Sequence, residues 1–263
     1  MVIGVESLCD LLFEVSNEDR LNILLQLDKG AMNITNLSRE LDITTQEASR
    51  HISRMGEVGL TERGVDGHHG ITPYGELVLR QIQGLKFTSQ HRDYFKSHSL
   101  TGLPAEFVHR LSELSGSLYV DDVMVMVHNV EKLLREVEEY ILNINTPYIS
   151  STFPLVGEAF VRGVEAKFIH SRELVPPDIM VEEHKQAVGK SAELARVSGD
   201  YLEKVMEGID LVLYMSEKEV AILAFPLKNG RFDFFGFSAT DETTLRWCRD
   251  LFMYYWERGE TKR

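Results

Sequence analysis

The chain has 263 residues, of which 43% are hydrophobic and 26% are charged, a normal balance for a globular protein. No apolar run approaches the roughly 18 residues of a membrane-spanning helix, and no basic segment precedes an apolar stretch at the N-terminus, so we expect a cytoplasmic protein. The two cysteines, Cys9 and Cys248, form neither a disulfide framework nor a metal-ligand spacing.

The net charge of −13 excludes DNA binding through an overall positive field. Residues 1–86 contain eight Lys plus Arg against thirteen Asp plus Glu, and the remainder of the chain is acidic as well. Any contact with DNA must therefore come from a local arrangement of side chains. We expect such binding to be sensitive to salt.

The first 60 residues predict four helices. Two leucine-rich helices come first, and a short third helix follows from about residue 35 to residue 42. Thr44 and Glu47 have the spacing of a capping box, which predicts the start of the fourth helix. Gly59 stands where that helix should end.

A hairpin and a long helix follow. Short strand-like segments at 60–64 and 71–73 flank an Asp-Gly pair, which favours a tight reversal. Helical spacing returns from Tyr74 to about Lys96. The order of helix, helix, turn, helix, hairpin and helix indicates a winged helix-turn-helix. We therefore assign residues 1–98 to a DNA-binding domain of this type with a linker helix.

From residue 99 to residue 263 the pattern is that of an α/β regulatory domain. We predict helices at 104–116, 129–143, 155–162, 182–193 and 241–258, and strands at 147–152, 164–170, 209–215, 220–227 and 232–238. Short turns join the last three strands. The predicted fold class is therefore α+β, a winged helix-turn-helix followed by an α/β domain with a mixed, largely antiparallel C-terminal sheet.

The fourth helix and the hairpin carry the residue types that read DNA. A recognition helix places its N-terminal residues against base edges, where Gln and Arg suit bidentate contacts, while Ser and Thr suit phosphate. The predicted DNA-binding residues are Thr45, Gln46, Ser49, Arg50, Ser53 and Arg54 on the helix, and Arg63, His68 and His69 on the hairpin. Glu47 and Glu57 favour the alternative, a winged-helix protein-interaction module without direct DNA readout.

Four features of residues 34–70 carry a family resemblance. They are Leu37 with Leu41, Asp42-Ile43-Thr44, Ser49-Arg50-His51 and Gly59-Leu60. In this order they resemble the arsenic-repressor-like winged-helix regulators, which implies double-stranded DNA as a partner. Metal-sensing relatives carry cysteines in or near the recognition helix, and this segment has none, so we expect no metal site.

The later part of the chain carries a second resemblance, in residues 163–168, 210–215, 230–233 and 247–256. These segments are similar to the regulatory domain of archaeal two-domain regulators related to the methanogenesis regulatory protein group. The resemblance implies an archaeal homodimer that binds DNA through its first domain. It also implies that the second domain senses a small-molecule effector and controls the spacing of the two winged helices.

The second domain shows no catalytic pattern. It has no Gly-x-Ser-x-Gly elbow, no dinucleotide or phosphate-loop motif, and no histidine at phospholipase-type spacing. We therefore expect a protein without enzymatic activity or cofactor. Polar residues at predicted strand ends indicate a ligand site instead. The predicted ligand-binding residues are Ser151, Thr152, Ser171, Arg172 and Asp233.

Overall fold

The structure is a computed structural model that describes residues 3–145, 148–173 and 177–261. The chain divides into two units, the first ending at Leu85 and the second beginning at Lys86. The sequence placed this boundary at residue 98. Residues 86–98 instead belong to the second unit, because Phe87 and Tyr94 are buried in its hydrophobic core.

The elements of the first unit follow the predicted order. They are α1 (Ile3–Val15), α2 (Glu18–Leu27), α3 (Ile34–Glu40), α4 (Thr45–Glu57), β1 (Thr61–Arg63), β2 (His69–Ile71) and the start of α5 (Pro73–Gln90). The side chains of Asn17 and Asn33 cap α2 and α3, and Thr44 forms a complete capping box on α4. β1 and β2 pair antiparallel and form the predicted hairpin.

The start of α5 lies directly against the backbone of Leu60, whose side chain belongs to the core of this unit. The hydroxyl of Thr72 donates to the Gly59 carbonyl at 2.6 Å and accepts from the Gly75 amide at 3.0 Å. A Cβ at residue 75 would overlap the Leu60 carbonyl, so this junction requires glycine.

Within the described residues, the second unit continues with seven α-helices and β-strands up to residue 171 and seven beyond it. They are α6 (Arg92–Ser97), α7 (Ala105–His109), β3 (Leu118–Val120), α8 (Val123–Glu136), β4 (Tyr140–Ile144), α9 (Phe153–Val161), β5 (Glu165–Ser171), α10 (Asp178–Ser198), β6 (Tyr201–Met206), β7 (Val212–Ser216), β8 (Val220–Ala224), β9 (Gly236–Ala239), α11 (Glu242–Arg258) and β10 (Glu260–Thr261). In the described part of the chain, no helix is long and apolar enough to cross a membrane.

A mixed sheet organises this unit. Among the described residues its order is β10-β6-β5-β4-β7-β8-β9-β3. β4, β5 and β6 run parallel, and the remaining neighbours pair antiparallel. One face packs on α11, and the other packs on α8, α9 and α10. The predicted α+β class with a mixed, largely antiparallel sheet is confirmed.

Several predicted elements of the second unit were wrong. The helix predicted at 129–143 ends at Glu136, and residues 140–144 form β4 instead. A short apolar run fits a buried strand as well as a helix, so periodicity did not separate the two. Residues 150–152 form a 3₁₀ turn rather than a strand, and residue 147, where that strand was predicted to begin, lies outside the described residues. β3 and β6 were not predicted.

Two predicted helices are interrupted. The helix predicted from residue 74 to residue 96 breaks at His91 into α5 and α6. The helix predicted at 104–116 consists of α7 followed by a 3₁₀ turn at Leu111–Leu114.

Candidate nucleic-acid interface and ligand region

The exposed face of α4 is defined by its capping box and its buried apolar residues. The Thr44 hydroxyl accepts from the Glu47 amide at 3.2 Å, and the Glu47 carboxylate accepts from the Thr44 amide at 2.9 Å. Ala48, Ile52 and Met55 point into the core. Five of the predicted DNA-binding residues are consequently exposed on one side of the helix: Thr45, Gln46, Ser49, Arg50 and Ser53.

Glu47 places a fixed negative charge at the start of this face. The hydrogen bonds from Thr44 hold the pKa of the Glu47 carboxyl below its usual value, so this group stays ionised. A carboxylate here stabilises the helix N-terminus but repels a phosphate. The first turn of α4 is therefore better suited to base edges than to the DNA backbone.

Arg54, also predicted to contact DNA, is engaged within the first unit. Its guanidinium donates to the Glu14 carboxylate at 2.6 Å and lies over the Phe13 ring. Glu14 is buried and also pairs with Arg20 at 3.3 Å. This cluster joins α4 to α1. Arg50, by contrast, has no ion-pair partner among the residues that the structure describes.

The three predicted hairpin residues lie in different surroundings. Arg63 is exposed at the end of β1, opposite His69. The Nδ1 atom of His68 lies 3.0 Å from the Asp66 carboxylate. His69 exchanges backbone hydrogen bonds with Met32, and burial lowers the pKa of its imidazole. Arg63 is therefore the hairpin side chain best placed to meet an external anion.

The predicted ligand residues after β4 have internal partners. The Thr152 hydroxyl donates to the Ile149 carbonyl at 2.8 Å and is buried. A hydrogen bond with Ser151 lowers the pKa of the Glu131 carboxyl. Both hydroxyls thus hold the 3₁₀ turn and the neighbouring helix in place.

The predicted residues at the end of β5 are also occupied. The Ser171 hydroxyl donates to the Glu173 carboxylate, and its amide donates to the Asn145 side chain at 2.8 Å. Arg172 forms an ion pair with Glu260 of β10. The polar groups of Ser171 and Arg172 therefore have hydrogen-bond or ion-pair partners within the second unit.

Asp233 lies in the segment between β8 and β9 and pairs with a buried histidine. Its carboxylate is 3.1 Å from His98 Nε2 and also accepts from the Phe235 amide at 3.0 Å. The His98 ring stacks on Tyr94 at 3.7 Å. Asp233 therefore connects its loop to the residue that follows α6.

The face of the sheet toward α10 contains a cavity of about 150 Å³ that the sequence did not predict. Glu203, largely buried, accepts from the Tyr201 hydroxyl at 2.6 Å and from Arg196 at 2.8 Å, and lies 3.5 Å from His170 Nε2. The alternation of Tyr201 and Glu203 along β6 was the available signal, but β6 itself was not recognised. Further lining residues are Tyr148, Phe168, Val181 and His184.

Within residues 3–145, 148–173 and 177–261, no group of three or more His, Cys, Asp or Glu is arranged to hold a metal ion. His68 and His69 on the hairpin are therefore not part of a group of three or more possible metal ligands among the described residues.

Comparison with solved structures gives weak likenesses. TrmBL2, an archaeal chromatin protein with a novel mode of DNA binding, is 15% identical, covers 94% of each chain and has a TM-score of 0.43. Nuc, a phospholipase D family member from Salmonella typhimurium, is 10% identical over 54% of this chain and 90% of that chain, with a TM-score of 0.36. An O-methyltransferase of neocarzinostatin biosynthesis, NcsB1, is 12% identical over 79% and 68%, with a TM-score of 0.28. All three TM-scores lie below 0.5, so these likenesses do not establish a shared fold.

Comparison at the level of sequence families is more specific. No curated protein matches the chain. Residues 17–62, however, match the model of a family described as bacterial regulatory protein, arsR family. The matched segment runs from the cap of α2 into β1 and contains α3 and α4. Residues 17–62 are therefore similar, in sequence and in helix order, to the arsR family of regulators, as the sequence predicted.

Proposed function

We propose that the chain is a DNA-binding transcriptional regulator. The observation that carries the proposal is the exposed face of α4, where Gln46, Ser49 and Arg50 stand on the third helix of the arsR-like segment. Arg50 is not engaged in an ion pair among the described residues. Arg63 on the hairpin adds a cation that suits the minor groove or a phosphate.

Exposed apolar residues of the first unit support a homodimer. Val5, Leu8 and Leu12 lie on one face of α1 and are 65%, 52% and 44% exposed. Leu77 and Leu85 of α5 are also exposed. Such surfaces mark interaction sites. A second copy of the chain is the occupant we propose, because two recognition helices then read two half-sites about one DNA turn apart.

The second unit, in this proposal, binds a small-molecule effector that changes the affinity for DNA. Its parallel strands β4, β5 and β6 provide the kind of sheet in which ligands bind beside helices. We propose no enzymatic reaction for it.

The alternative is a winged-helix module that binds proteins. The net charge of −13 and the ionised Glu47 on α4 favour it. The two functions differ in whether the intact chain binds double-stranded DNA at low salt.

Fluorescence anisotropy with the duplex upstream of the protein's own coding sequence, and with an unrelated duplex, tests the proposal. Between about 50 mM and about 200 mM salt, affinity for both duplexes should fall. Arg50→Ala should reduce the binding free energy for the upstream duplex by about 1–3 kcal/mol and lower the preference for it over the unrelated duplex. Arg63→Ala should weaken the binding of both duplexes evenly.

Arg80→Ala provides the matched control, since Arg80 is an exposed cation on α5 that leaves α4 and the hairpin untouched. It should change affinity least. No binding of either duplex at low salt, or equal losses for Arg50→Ala and Arg80→Ala, would contradict the proposal and favour the protein-interaction module.

A further inference from the structure

A second cavity lies on the opposite face of the sheet, between the first residues of β4 and β5 and the middle of α11. It is an open cleft of about 160 Å³. The residues that matter for its chemistry are Tyr140, Leu142, Glu165, Lys167, Arg249 and Met253. All six belong to the second unit.

The register of the sheet fixes the floor of this cleft. β4 and β5 run parallel, with Tyr140 beside Glu165 and Leu142 beside Lys167. Residues paired in this way project on the same face, about 5 Å apart across the strands. Leu142 and Met253 supply the apolar part of the cleft, where the strands meet α11.

Two cations face the cleft without an acidic partner. Neither Lys167 nor Arg249 has a carboxylate within ion-pair distance among the described residues. Arg249 lies 5.7 Å from the centre of the Tyr140 ring, and Lys167 Nζ lies 6.0 Å from the Trp256 ring. Acids outnumber cations 41 to 28 in this chain, so two unpaired cations at one cleft are available to an external anion.

The hydroxyl of Tyr140 is buried beside Arg249. Burial raises the pKa of this hydroxyl, and the charge of the Arg249 guanidinium together with a hydrogen bond from it opposes the rise. A guanidinium can only donate, so the Tyr140 proton still has no acceptor among the described residues. A ligand oxygen held between Tyr140 and Arg249 would be that acceptor.

Glu165 adds an acceptor at the edge of the cleft. It is exposed, lies two residues before Lys167 on the same face of β5, and forms no ion pair with it. The lining of the cleft therefore combines two cations, a single carboxylate and an apolar floor.

We propose that this cleft binds a small organic carboxylate with an aliphatic body. The carboxylate lies between Lys167 and Arg249 and accepts from the Tyr140 hydroxyl, while the aliphatic part packs on Leu142 and Met253. An α-amino group, where the ligand has one, donates to Glu165. A cavity of this size holds a molecule of about six to nine non-hydrogen atoms.

Binding at the cleft rests on the second unit alone. Its role as the effector site rests on the proposed function. Titrations without DNA therefore separate the two: a chain that binds the carboxylate but no duplex keeps this inference and loses the proposed function, and the reverse result does the opposite.

Isothermal titration calorimetry of the full chain with three probes of similar shape tests the ligand class. The probes are 4-methylpentanoate, leucine and 3-methylbutylamine. We expect at least one of the two carboxylates to bind and the amine not to bind. If leucine binds more tightly than 4-methylpentanoate and Glu165→Gln abolishes this preference, the ligand is an amino acid. If 4-methylpentanoate binds more tightly, the ligand is a simple carboxylic acid. The proposal is overturned if neither carboxylate binds, or if the amine binds as well as they do.

Variants of the cleft test the site. Arg249→Met and Lys167→Met should each weaken carboxylate binding by roughly tenfold or more, because a charge-assisted hydrogen bond is lost. Arg246→Met, an equal change at an exposed position one turn away on α11, should leave affinity unchanged. Tyr140→Phe should weaken binding without lowering the melting temperature of the ligand-free protein. Equal losses for Arg246→Met and Arg249→Met place the ligand elsewhere.

Discussion

Two cavities of nearly equal size lie on opposite faces of the same parallel strands, and they use their charges differently. Toward α10, in about 150 Å³, Glu203 is held by Tyr201 and Arg196. Toward α11, in about 160 Å³, Lys167 and Arg249 face the cleft without acidic partners in the described structure. Charged residues in a cavity therefore indicate ligand binding only when the protein does not already use them for its own stability.

The largest expected difference in the free energy of unfolding is between variants of two glutamates, one in each cavity. Glu203→Ala should lower the free energy of unfolding of the second unit by about 2–3 kcal/mol, because the buried Tyr201 hydroxyl loses its acceptor. Glu165→Ala removes an exposed carboxylate and should change it by less than about 0.5 kcal/mol. Urea unfolding followed by tryptophan fluorescence measures this, since Trp247 and Trp256 both lie on α11 of this unit. Equal losses would show that the Glu203 cluster is not a stabilising network.

A smaller difference is expected between two tyrosines. Tyr201→Phe deletes a hydroxyl that donates to Glu203 and should cost about 1 kcal/mol. Tyr140→Phe deletes a hydroxyl whose proton has no acceptor among the described residues and whose neighbour Arg249 is exposed to solvent, so the stability of the ligand-free protein should change by less than about 0.5 kcal/mol. The same unfolding measurement compares them. If only Tyr140→Phe destabilised the protein, the cleft toward α11, and not the cavity toward α10, would be the one whose polar groups stabilise the fold.

The smallest difference is expected between two arginines. Arg196 is about half exposed, so its ion pair with Glu203 is screened by solvent, and Arg196→Met should cost less than about 1 kcal/mol. Arg249→Met should cost nothing measurable in the absence of ligand. High salt should narrow the gap between the two variants. A gap that persists in high salt would assign the effect to packing of Arg196 on the Tyr201 ring.

Local signals made the first unit predictable. The capping box of Thr44 and Glu47, the Asp-Gly pair of the hairpin and Gly59 after α4 each act within a few residues, and the structure places all of them as predicted. Exposure of Gln46, Ser49 and Arg50 followed from the burial of the apolar side of α4. The pairing of Arg54 with Glu14 was not predictable, because forty residues separate them.

In the second unit, tertiary contacts determine which segments form strands and which polar side chains are free. The residues of β4 are an apolar run whose identity as a strand depends on pairing with β5 and β7, which no local pattern encodes. The predicted ligand residues were chosen for their place at strand ends, but Ser171 and Arg172 have partners in Glu173 and Glu260. Whether a polar side chain is available to a ligand depends on neighbours that the sequence does not reveal.

The junction at Gly75 limits how far related sequences can diverge. A methyl group at this residue would collide with the Leu60 carbonyl and the Ile71 side chain, so replacing it requires the hairpin to move relative to α4. Under the proposed function, such a change would also shift Arg63 relative to the DNA. The need for glycine at residue 75 thus comes from the placement of the hairpin and not from the order of the helices.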